Sequence, residues 1–223
     1  MQKQNISNAL TKSKKNLIKV GHGGTLDPLA TGVIVLGIGD GTKLLGSYLG
    51  GSKKYHAFGE LGIMTDTLDN TGKIVSKKTC DHITRSDIES ASKQFIGDIM
   101  QIPPMYSALK KDGKRLYEIA REGKVIDREA RKMTCYNLSV DNESESLQLP
   151  QFGLKVECSG GFYIRSLIVD IAEKLDNYAN MINLERTKHG PFDVSDCIYE
   201  EDWNDYEKMT KQIEICTEKI TIK

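Results

Sequence analysis

The feature that most constrains the fold is a strict alternation of apolar and polar residues at 152–158, followed by a helical repeat. The apolar positions of this alternation are Phe152, Leu154, Val156 and Cys158. A period of two predicts a strand that is buried on one face. After Ser159-Gly160-Gly161, apolar residues recur with a period near 3.6, which predicts a helix at 165–176. The chain therefore combines a half-buried strand with an amphipathic helix.

The other segments mix these two patterns without a regular βαβ rhythm. Strands are predicted at 33–38 (a short apolar run, VIVLGI, typical of a buried strand), 54–63 and 132–140. Helices are predicted at 42–48, after a capping box of Ser86 and Glu89, and at 113–122. This irregular order favours an α+β fold with a mainly antiparallel sheet over a doubly wound fold.

Composition excludes several classes of protein. Apolar residues at 39% and charged residues at 28% fit a folded core and exclude a largely disordered chain. No apolar run approaches the roughly 18 residues of a membrane span, and the N-terminus lacks the apolar core of a secretory signal. The five cysteines are widely spaced without a CxxC pair, so neither a disulfide framework nor a zinc site is supported. We expect an intracellular protein, with nucleus, cytoplasm and mitochondrion left open.

The net charge is zero, but the charges are unevenly distributed along the chain. Residues 1–54 carry eight basic and two acidic residues, residues 107–132 carry nine and five, and residues 193–223 carry four and nine. Basic segments beside an acidic one suggest a face made for a polyanion. Ordinary surface charge is the alternative interpretation, because charge patterning is a weak signal.

The segment GHGGTLDPLATG at residues 21–32 is the candidate site that residue types suggest. Its glycines and proline predict a loop, and Pro28 favours an extended backbone at Asp27. A carboxylate on such a loop is a candidate nucleophile or base, whereas the alternative is an aspartate that only caps a turn. Signatures of a P-loop, of a G-x-S-x-G hydrolase and of an H-E-x-x-H metalloprotease are absent.

Three further side chains have both a structural and a functional interpretation. His22 is either a site residue or a histidine whose hydrogen bonds are satisfied in the core. Tyr55 is either a half-buried aromatic on a strand or a stacking platform for a base. Arg165 begins a helix, where the dipole disfavours a solvated cation, so it is either exposed on the first turn or paired with an anion such as Asp27.

Five segments resemble the TruB-type tRNA pseudouridine synthases in the family's order and spacing, and their wording is most similar to the eukaryotic TruB-like branch. The segments are GHGGTLDPLATGVIVLGIGDGTK, KKYHAFGELGIMTDTLDNTGK, IPPMYSALKKDGKRLYEIAREG, CSGGFYIRSLIVDIAEKL and LERTKHGPF. Together they lie within roughly residues 19–192. The resemblance implies the pseudouridine synthase fold, a bent, mainly antiparallel sheet flanked by helices. It also implies isomerisation of uridine to pseudouridine at position 55, in the T-loop of tRNA.

The resemblance also implies a role for each candidate side chain. Asp27 is expected to be the catalytic carboxylate, and Arg165 to pair with it. Tyr55 is expected to pack on the target base, and His22 to lie beside the flipped-out nucleotide. The family uses no metal and no cofactor. The basic segments would contact RNA phosphates, and the candidates are Lys19, Lys53, Lys54, Lys110, Lys114 and Arg115.

The expected organisation is a basic segment at 1–20, a catalytic domain at 21–200 and an acidic tail at 201–223. Neither the family's first strand nor the C-terminal RNA-binding domain of bacterial relatives is found. The expected partner is the T-arm stem-loop of tRNA, bound by a monomer, with T-loop-like mRNA hairpins as further substrates and no membrane. Two alternatives stay open: a truncated or catalytically impaired relative that acts as an RNA chaperone, and a nucleotide-binding enzyme that uses the Gly-rich loop.

Overall fold

The computed structural model describes residues 18–142 and 148–221, and these form two compact units. The terminal unit takes its residues from Met1–Lys54 and Glu185–Lys223, and the central unit is Tyr55–Leu184. Most of the predicted basic segment 1–20 lies outside the described residues, as does the middle of the acidic stretch before β11.

Strands and helices alternate irregularly along the chain. The strands are β1 (Val20–His22), β2 (Thr31–Gly32), β3 (Leu36–Ile38), β4 (Lys53–Leu61), β5 (Ile63–Thr65), β6 (Ile74–Lys77), β7 (Gly97–Gln101), β8 (Lys110–Lys111), β9 (Lys114–Arg115), β10 (Arg131–Val140), β11 (Gln151–Cys158), β12 (Ala179–His189) and β13 (Phe192–Asp193). The helices are α1 (Leu45–Gly50), α2 (Arg85–Lys93), α3 (Leu116–Arg121), α4 (Ile164–Lys174) and α5 (Tyr206–Thr221). Short 3₁₀ helices lie at Gly39–Leu44, Val194–Asp196 and Glu200–Asp202.

The central unit is a sheet with the strand order β12-β4-β11-β10-β7. Strand β10 runs antiparallel to both neighbours, with Leu138 opposite Val156 and Met133 opposite Ile99. The predicted face of β11 is confirmed, because its four alternating apolar side chains are all buried. The predicted α+β class with a mainly antiparallel sheet flanked by helices is confirmed as well.

Helix α4 closes one face of this sheet. Its apolar stripe, including Leu167, Ile168 and Ile171, is fully buried. Gly59 of β4 lies beneath this helix, and a Cβ at that position would meet the Phe152 ring at 2.6 Å and Ile168 Cγ2 at 3.1 Å. A larger residue at Gly59 would therefore push the helix away from the sheet.

Helix α2 begins two residues earlier than the predicted capping box required. Thr84 is the N-cap: its side chain accepts a hydrogen bond from Asp87 N, and Asp87 Oδ2 accepts one from Thr84 N at 2.8 Å. Ile83 before the cap and Ile88 in the first turn are both buried, as in a hydrophobic staple. This apolar pair selects Thr84 over Ser86, so the predicted box of Ser86 and Glu89 is wrong.

The apolar run at 33–38 of the terminal unit is not the buried strand that we predicted. Only Leu36–Ile38 forms a strand, which pairs with β1 in a two-stranded ribbon. Ile34 and Leu36 are 37% and 38% exposed, because the ribbon in the described structure has no further strand beside it. Helix α1 follows at Leu45, later than the predicted 42–48, after a 3₁₀ turn.

The C-terminal part of β12, from Glu185 onward, belongs to the terminal unit. It pairs antiparallel with β13 and makes a short parallel bridge to β2, with Arg186 opposite Gly32. The acidic segment 201–223 is helical over most of its length, as α5. Gln212 Nε2 of α5 donates to Asp196 O at 3.0 Å, and Lys219 forms an ion pair with the Asp196 carboxylate.

Candidate active site

The Asp27 loop, residues 23–33, begins at the end of β1 in the terminal unit. Gly23 N donates to Val35 O at 2.9 Å, and Ala30 N donates to Asp27 O at 2.9 Å, which closes a turn around Pro28. Gly23 is required at its position because a Cβ would meet Tyr48 Cβ of α1 at 2.8 Å. Asp27 itself is half-buried.

Arg186 holds both limbs of the Asp27 loop. Its guanidinium donates from Nε to Val33 O at 2.7 Å and from one terminal nitrogen to Thr25 O at 3.1 Å. Its own carbonyl accepts from Val33 N at 2.8 Å. Gly32 adopts φ 95°, and a Cβ there would meet Arg186 O at 2.3 Å. Arg186 was not among the site residues predicted from the sequence, because nothing in the sequence signals a buried guanidinium on a strand.

Two histidines of the terminal unit each keep one ring nitrogen without a partner. His22, at the end of β1, has a buried Nδ1 with no hydrogen bond in the structure. This disfavours the interpretation of His22 as a core histidine whose hydrogen bonds are all satisfied. His189 is fully buried and donates from Nε2 to Tyr48 O at 2.8 Å. Burial, with a smaller contribution from the charges of Arg186 and Lys53, lowers the pKa of His189 to about 4, so His189 is neutral at pH 7.

Arg165 of the central unit is buried, with 5% of its surface exposed. The two terminal guanidinium nitrogens donate to Thr67 O and Tyr106 O, both at 2.8 Å, and one lies 3.7 Å from Asp69 Oδ2. The alternative of an exposed arginine on the first turn of the helix is therefore wrong. Because Tyr106 lies in the segment before β8 and Thr67 in the one after β5, Arg165 connects two separate loops.

The Asp69 loop, residues 65–72 with the sequence TDTLDNTG, contacts Arg165 through Thr67 O and the Asp69 carboxylate. This partner of Arg165 was not predicted from the sequence. Asp69 Oδ1 accepts hydrogen bonds from Thr67 Oγ1 at 2.7 Å and from Thr71 N at 3.0 Å. Leu68 adopts φ 62°, a strained conformation for a leucine, and its carbonyl accepts from Met181 N. The sequence predicted turn chemistry here, and the Asp and Thr spacing that forms an Asx-type turn was the available signal.

Tyr55 is the first residue of the central unit and lies early on β4. It is buried on the same face of the strand as Ala57 and Leu61. The predicted strand at 54–63 is thus confirmed as Lys53–Leu61. Burial of most of the ring fits a rigidly held aromatic, and its role toward a base stays a prediction.

Lys53 is not the phosphate contact that we predicted. It is 6% exposed, and its ammonium donates to three carbonyl oxygens at the end of α1: Tyr48 O at 3.0 Å, Leu49 O at 3.2 Å and Gly51 O at 2.8 Å. A cation at a helix C-terminus satisfies carbonyls that have no partner within the helix. All three donors of the ammonium are thereby used.

The other predicted phosphate contacts are exposed. Lys19 and Lys54 lie at the surface of the terminal unit. Lys110, Lys114 and Arg115 lie on the hairpin of β8 and β9, where Lys110 is opposite Arg115. Lys114 is also 3.3 Å from Glu122, and Arg115 donates to the Tyr117 hydroxyl at 3.0 Å. Their contact with RNA stays a prediction.

Within the residues that the structure describes, no group of three or more His, Cys, Asp or Glu side chains could hold a metal ion. The same residues contain no helix that is long and apolar enough to cross a membrane. The pKa of one acidic side chain of the central unit is strongly raised: burial, with a smaller contribution from the charge of Glu173, brings the pKa of Asp170 on α4 to about 7.

Comparison with known proteins gives related chains over nearly the whole length. Pseudouridylate synthase TRUB1 of Homo sapiens is 50% identical over 208 residues, which are 93% of this chain and 58% of the human protein. The tRNA pseudouridine synthase B of Clostridium tetani is 43% identical over 88% of this chain and 66% of its own length. This chain therefore spans less than two thirds of these relatives.

Solved structures confirm the predicted pseudouridine synthase fold. A crystal structure of a Cbf5–Nop10–Gar1 complex matches with a TM-score of 0.63 at 29% identity, covering 86% of this chain and 47% of that chain. An H/ACA RNP bound to a substrate RNA containing 2′-deoxyuridine matches with a TM-score of 0.60 at 25% identity, covering 88% and 47%. The family model for the TruB family pseudouridylate synthase N-terminal domain matches residues 11–164, so this chain belongs to the TruB family.

Proposed function

We propose that this chain is a tRNA pseudouridine synthase that isomerises one uridine in the T-loop, at position 55, with Asp27 as the catalytic carboxylate. The observation that carries the proposal is the Asp27 loop itself. Its sequence, GHGGTLDP, lies inside the segment that the family model matches, and its two limbs are fixed by hydrogen bonds. The bacterial relatives are named for this activity on tRNA.

The reaction needs no oxidant, reductant or group donor. The bond between C1′ of the ribose and N1 of uracil breaks, the uracil turns, and a bond forms between C1′ and C5. The proton leaves C5 and N1 gains one, so atoms and electrons balance. The target base must leave its stack before a side chain can reach it. Asp27 acts at the reacting nucleotide, and we propose that the reaction proceeds without metal or cofactor.

The other candidates are assigned supporting roles. Tyr55 packs against the face of the detached uracil and keeps it in place while it turns. Arg165 pairs with the catalytic carboxylate and keeps it ionised and oriented. His22 lies beside the flipped nucleotide, where its imidazole lines the pocket for the target base. The buried environment of Tyr55 and Arg165 supports both assignments, because buried side chains lose little entropy on binding.

Phosphate contacts come from exposed cations. Lys19, Lys54 and the hairpin cations Lys110, Lys114 and Arg115 bind the T-arm backbone, with the chain acting as a monomer. Stem-loop mRNA with a T-loop-like sequence would present the same features to these groups. The five cysteines are free thiols, which agrees with a site of action inside the cell, where tRNA is found.

The test is formation of pseudouridine in a T-arm hairpin, measured by mass spectrometry after nuclease digestion, in the presence of EDTA. A hairpin with cytidine at the target position is the matched control. The proposal predicts multiple turnovers on the first hairpin and no product on the second. Binding of both hairpins without product would instead indicate the RNA chaperone, and would contradict the proposal.

A further inference from the structure

We infer that Arg186 is a positioning residue, which fixes the Asp27 loop in the conformation that the reaction requires. The inference rests on the proposed role of Asp27. It concerns a strand residue of the terminal unit that the sequence analysis did not select.

The hydrogen bonds of Arg186 bracket the catalytic carboxylate. Thr25 precedes Asp27 by two residues, and Val33 follows it, at the other end of the loop. One guanidinium group binds the carbonyls of both, at 3.1 and 2.7 Å, while the main chain of Arg186 binds Val33 N at 2.8 Å. The ends of the loop are therefore tied to a single rigid side chain, and Asp27 lies between the ties.

The arginine is not explained by charge pairing. It is 1% exposed, and no acidic side chain of the described residues forms an ion pair with it. One of its terminal nitrogens is buried without a hydrogen-bond partner among these residues. Burying a guanidinium in this state is unfavourable, so stability alone does not account for an arginine here. A role in the shape of the loop does account for it.

The planar guanidinium can donate to Val33 O and Thr25 O at the same time, because its N–H groups point in fixed, different directions. A lysine keeps the positive charge, but its single ammonium cannot lie along both carbonyl directions at the two ends of the loop. Arg186→Lys is therefore the variant that separates charge from geometry. Displacement of a catalytic group by about 1 Å lowers turnover by about 100-fold, and this is the expected fall in kcat.

A matched control is available in the central unit. Asn177 is 3% exposed, its Nδ2 donates to Thr79 O at 2.8 Å, and its Oδ1 accepts from Tyr178 N at 2.8 Å. It is thus another buried side chain that fixes a loop, but a loop without candidate site residues. Asn177→Ala should lower stability and leave kcat unchanged.

The experiment measures kcat, KM, hairpin affinity and amide hydrogen exchange for the wild type, Arg186→Lys, Arg186→Ala and Asn177→Ala. The inference predicts a fall in kcat for both Arg186 variants with hairpin affinity within about twofold of wild type. It predicts faster exchange confined to residues 23–33, and partial recovery of kcat in Arg186→Ala on addition of guanidinium. Equal kcat in Arg186→Lys and wild type would overturn it. Unchanged exchange at residues 23–33 would also overturn it.

Failure of the proposed function is distinguishable in the same experiment. If the wild type makes no pseudouridine, the proposed function fails. The exchange rates of residues 23–33 then still decide whether Arg186 fixes the loop. If the wild type turns over and the Arg186 variants turn over at the same rate, the proposed function holds and only the positioning role of Arg186 fails.

Discussion

The Asp27 loop of the terminal unit and the Asp69 loop of the central unit are built alike, yet they differ in charge. In each, a buried arginine from a neighbouring element donates to the main chain of an aspartate-bearing turn, to one carbonyl in the Asp69 loop and to two in the Asp27 loop. Arg165 has an acidic partner, Asp69, at 3.7 Å, whereas Arg186 has none among the described residues. The arginine of the Asp69 loop is thus partly neutralised by that loop, and the arginine of the Asp27 loop is not.

This difference separates two uses of a buried guanidinium. In the Asp69 loop, charge and hydrogen bonds are satisfied together, so the arrangement contributes to the stability of the central unit. In the Asp27 loop, the charge stays uncompensated, and the gain is a fixed backbone around a carboxylate. We expect mutations of Asp69 to act mainly on stability and mutations that disturb the Asp27 loop to act mainly on turnover, whereas mutations of Arg165 should affect both.

Replacement of Arg165 should give the largest loss of stability. Arg165→Met removes the donors of two carbonyls and leaves the Asp69 carboxylate buried without its cation, which costs about 3 kcal/mol or more in the free energy of unfolding. Urea denaturation followed by circular dichroism measures it. A loss below about 1 kcal/mol would show that Asp69 and Arg165 are not coupled as the structure indicates.

The two units should respond to pH in opposite directions. Burial raises the pKa of Asp170 to about 7, from 3.8 in the unfolded chain. Between about pH 4 and 7 the folded central unit retains a proton that the unfolded chain has lost, so its stability falls as the pH rises. Asp170→Asn should therefore add about 2 kcal/mol at pH 8 and almost nothing near pH 4. An equal gain at both values would contradict this.

In the terminal unit the sign is reversed. Burial lowers the pKa of His189 to about 4, from 6.5 in the unfolded chain. Below pH 6.5 the unfolded chain gains a proton that the folded unit does not bind until about pH 4. The stability of the terminal unit should therefore fall as the pH drops through this window. Hydrogen exchange of each unit at pH 5 and pH 8 compares the two directly.

Replacement of Asp69 tests whether the charge of the Asp69 carboxylate is what distinguishes the Asp69 loop from the Asp27 loop. Asp69→Asn retains the acceptor for Thr67 and Thr71 but directs a neutral amide at Arg165. The central loop then resembles the terminal loop in charge, with a guanidinium that has lost its acid. We expect a loss of about 1–2 kcal/mol, smaller than for Arg165→Met. An equal or larger loss, measured by the same urea titration, would mean that Asp69 does more than balance charge.

The smallest effects distinguish buried from exposed lysines. Lys53→Met should lower stability, because three carbonyls at the end of α1 lose their donor, and should leave the salt dependence of hairpin binding unchanged. Replacement of Lys114 by Met on the exposed hairpin should do the reverse, reducing the slope of log K against log salt by about one. A smaller slope of log K against log salt for Lys53→Met would support the original prediction that Lys53 contacts an RNA phosphate.

Much of this molecule was predictable from local patterns. The alternation at 152–158 and the helical repeat after it gave β11 and α4, because both burial periods are complete within one element. The run at 33–38 misled, since burial of a short apolar strand depends on whether other strands cover it, and in the described structure β3 has only β1 beside it. The start of α2 depended on Ile83 and Ile88 packing together, which a capping pattern alone does not specify.

The candidate residues that the sequence selected lie in short, distinctive motifs, and their roles stay predictions. Asp27, His22, Tyr55 and Arg165 were selected from the sequence, largely through the family resemblance. Arg186 and Asp69 were not, because their importance comes from hydrogen bonds to residues far away in the chain, 153 positions apart for Arg186 and Val33. Lys53 was misjudged for the same reason, as its sequence neighbourhood is basic but its ammonium is enclosed by carbonyls.

The measurement that tests the central claim most directly compares the wild type and Asp27→Asn under single-turnover conditions, with the T-arm hairpin and with hairpin affinity measured in parallel. Asparagine has nearly the same shape as aspartate but cannot act as a carboxylate. The account predicts hairpin binding within about twofold of wild type and a rate of pseudouridine formation at least about 10⁴-fold lower. Product formed at the wild-type rate by Asp27→Asn would contradict the assignment of Asp27 and the mechanism built on its loop.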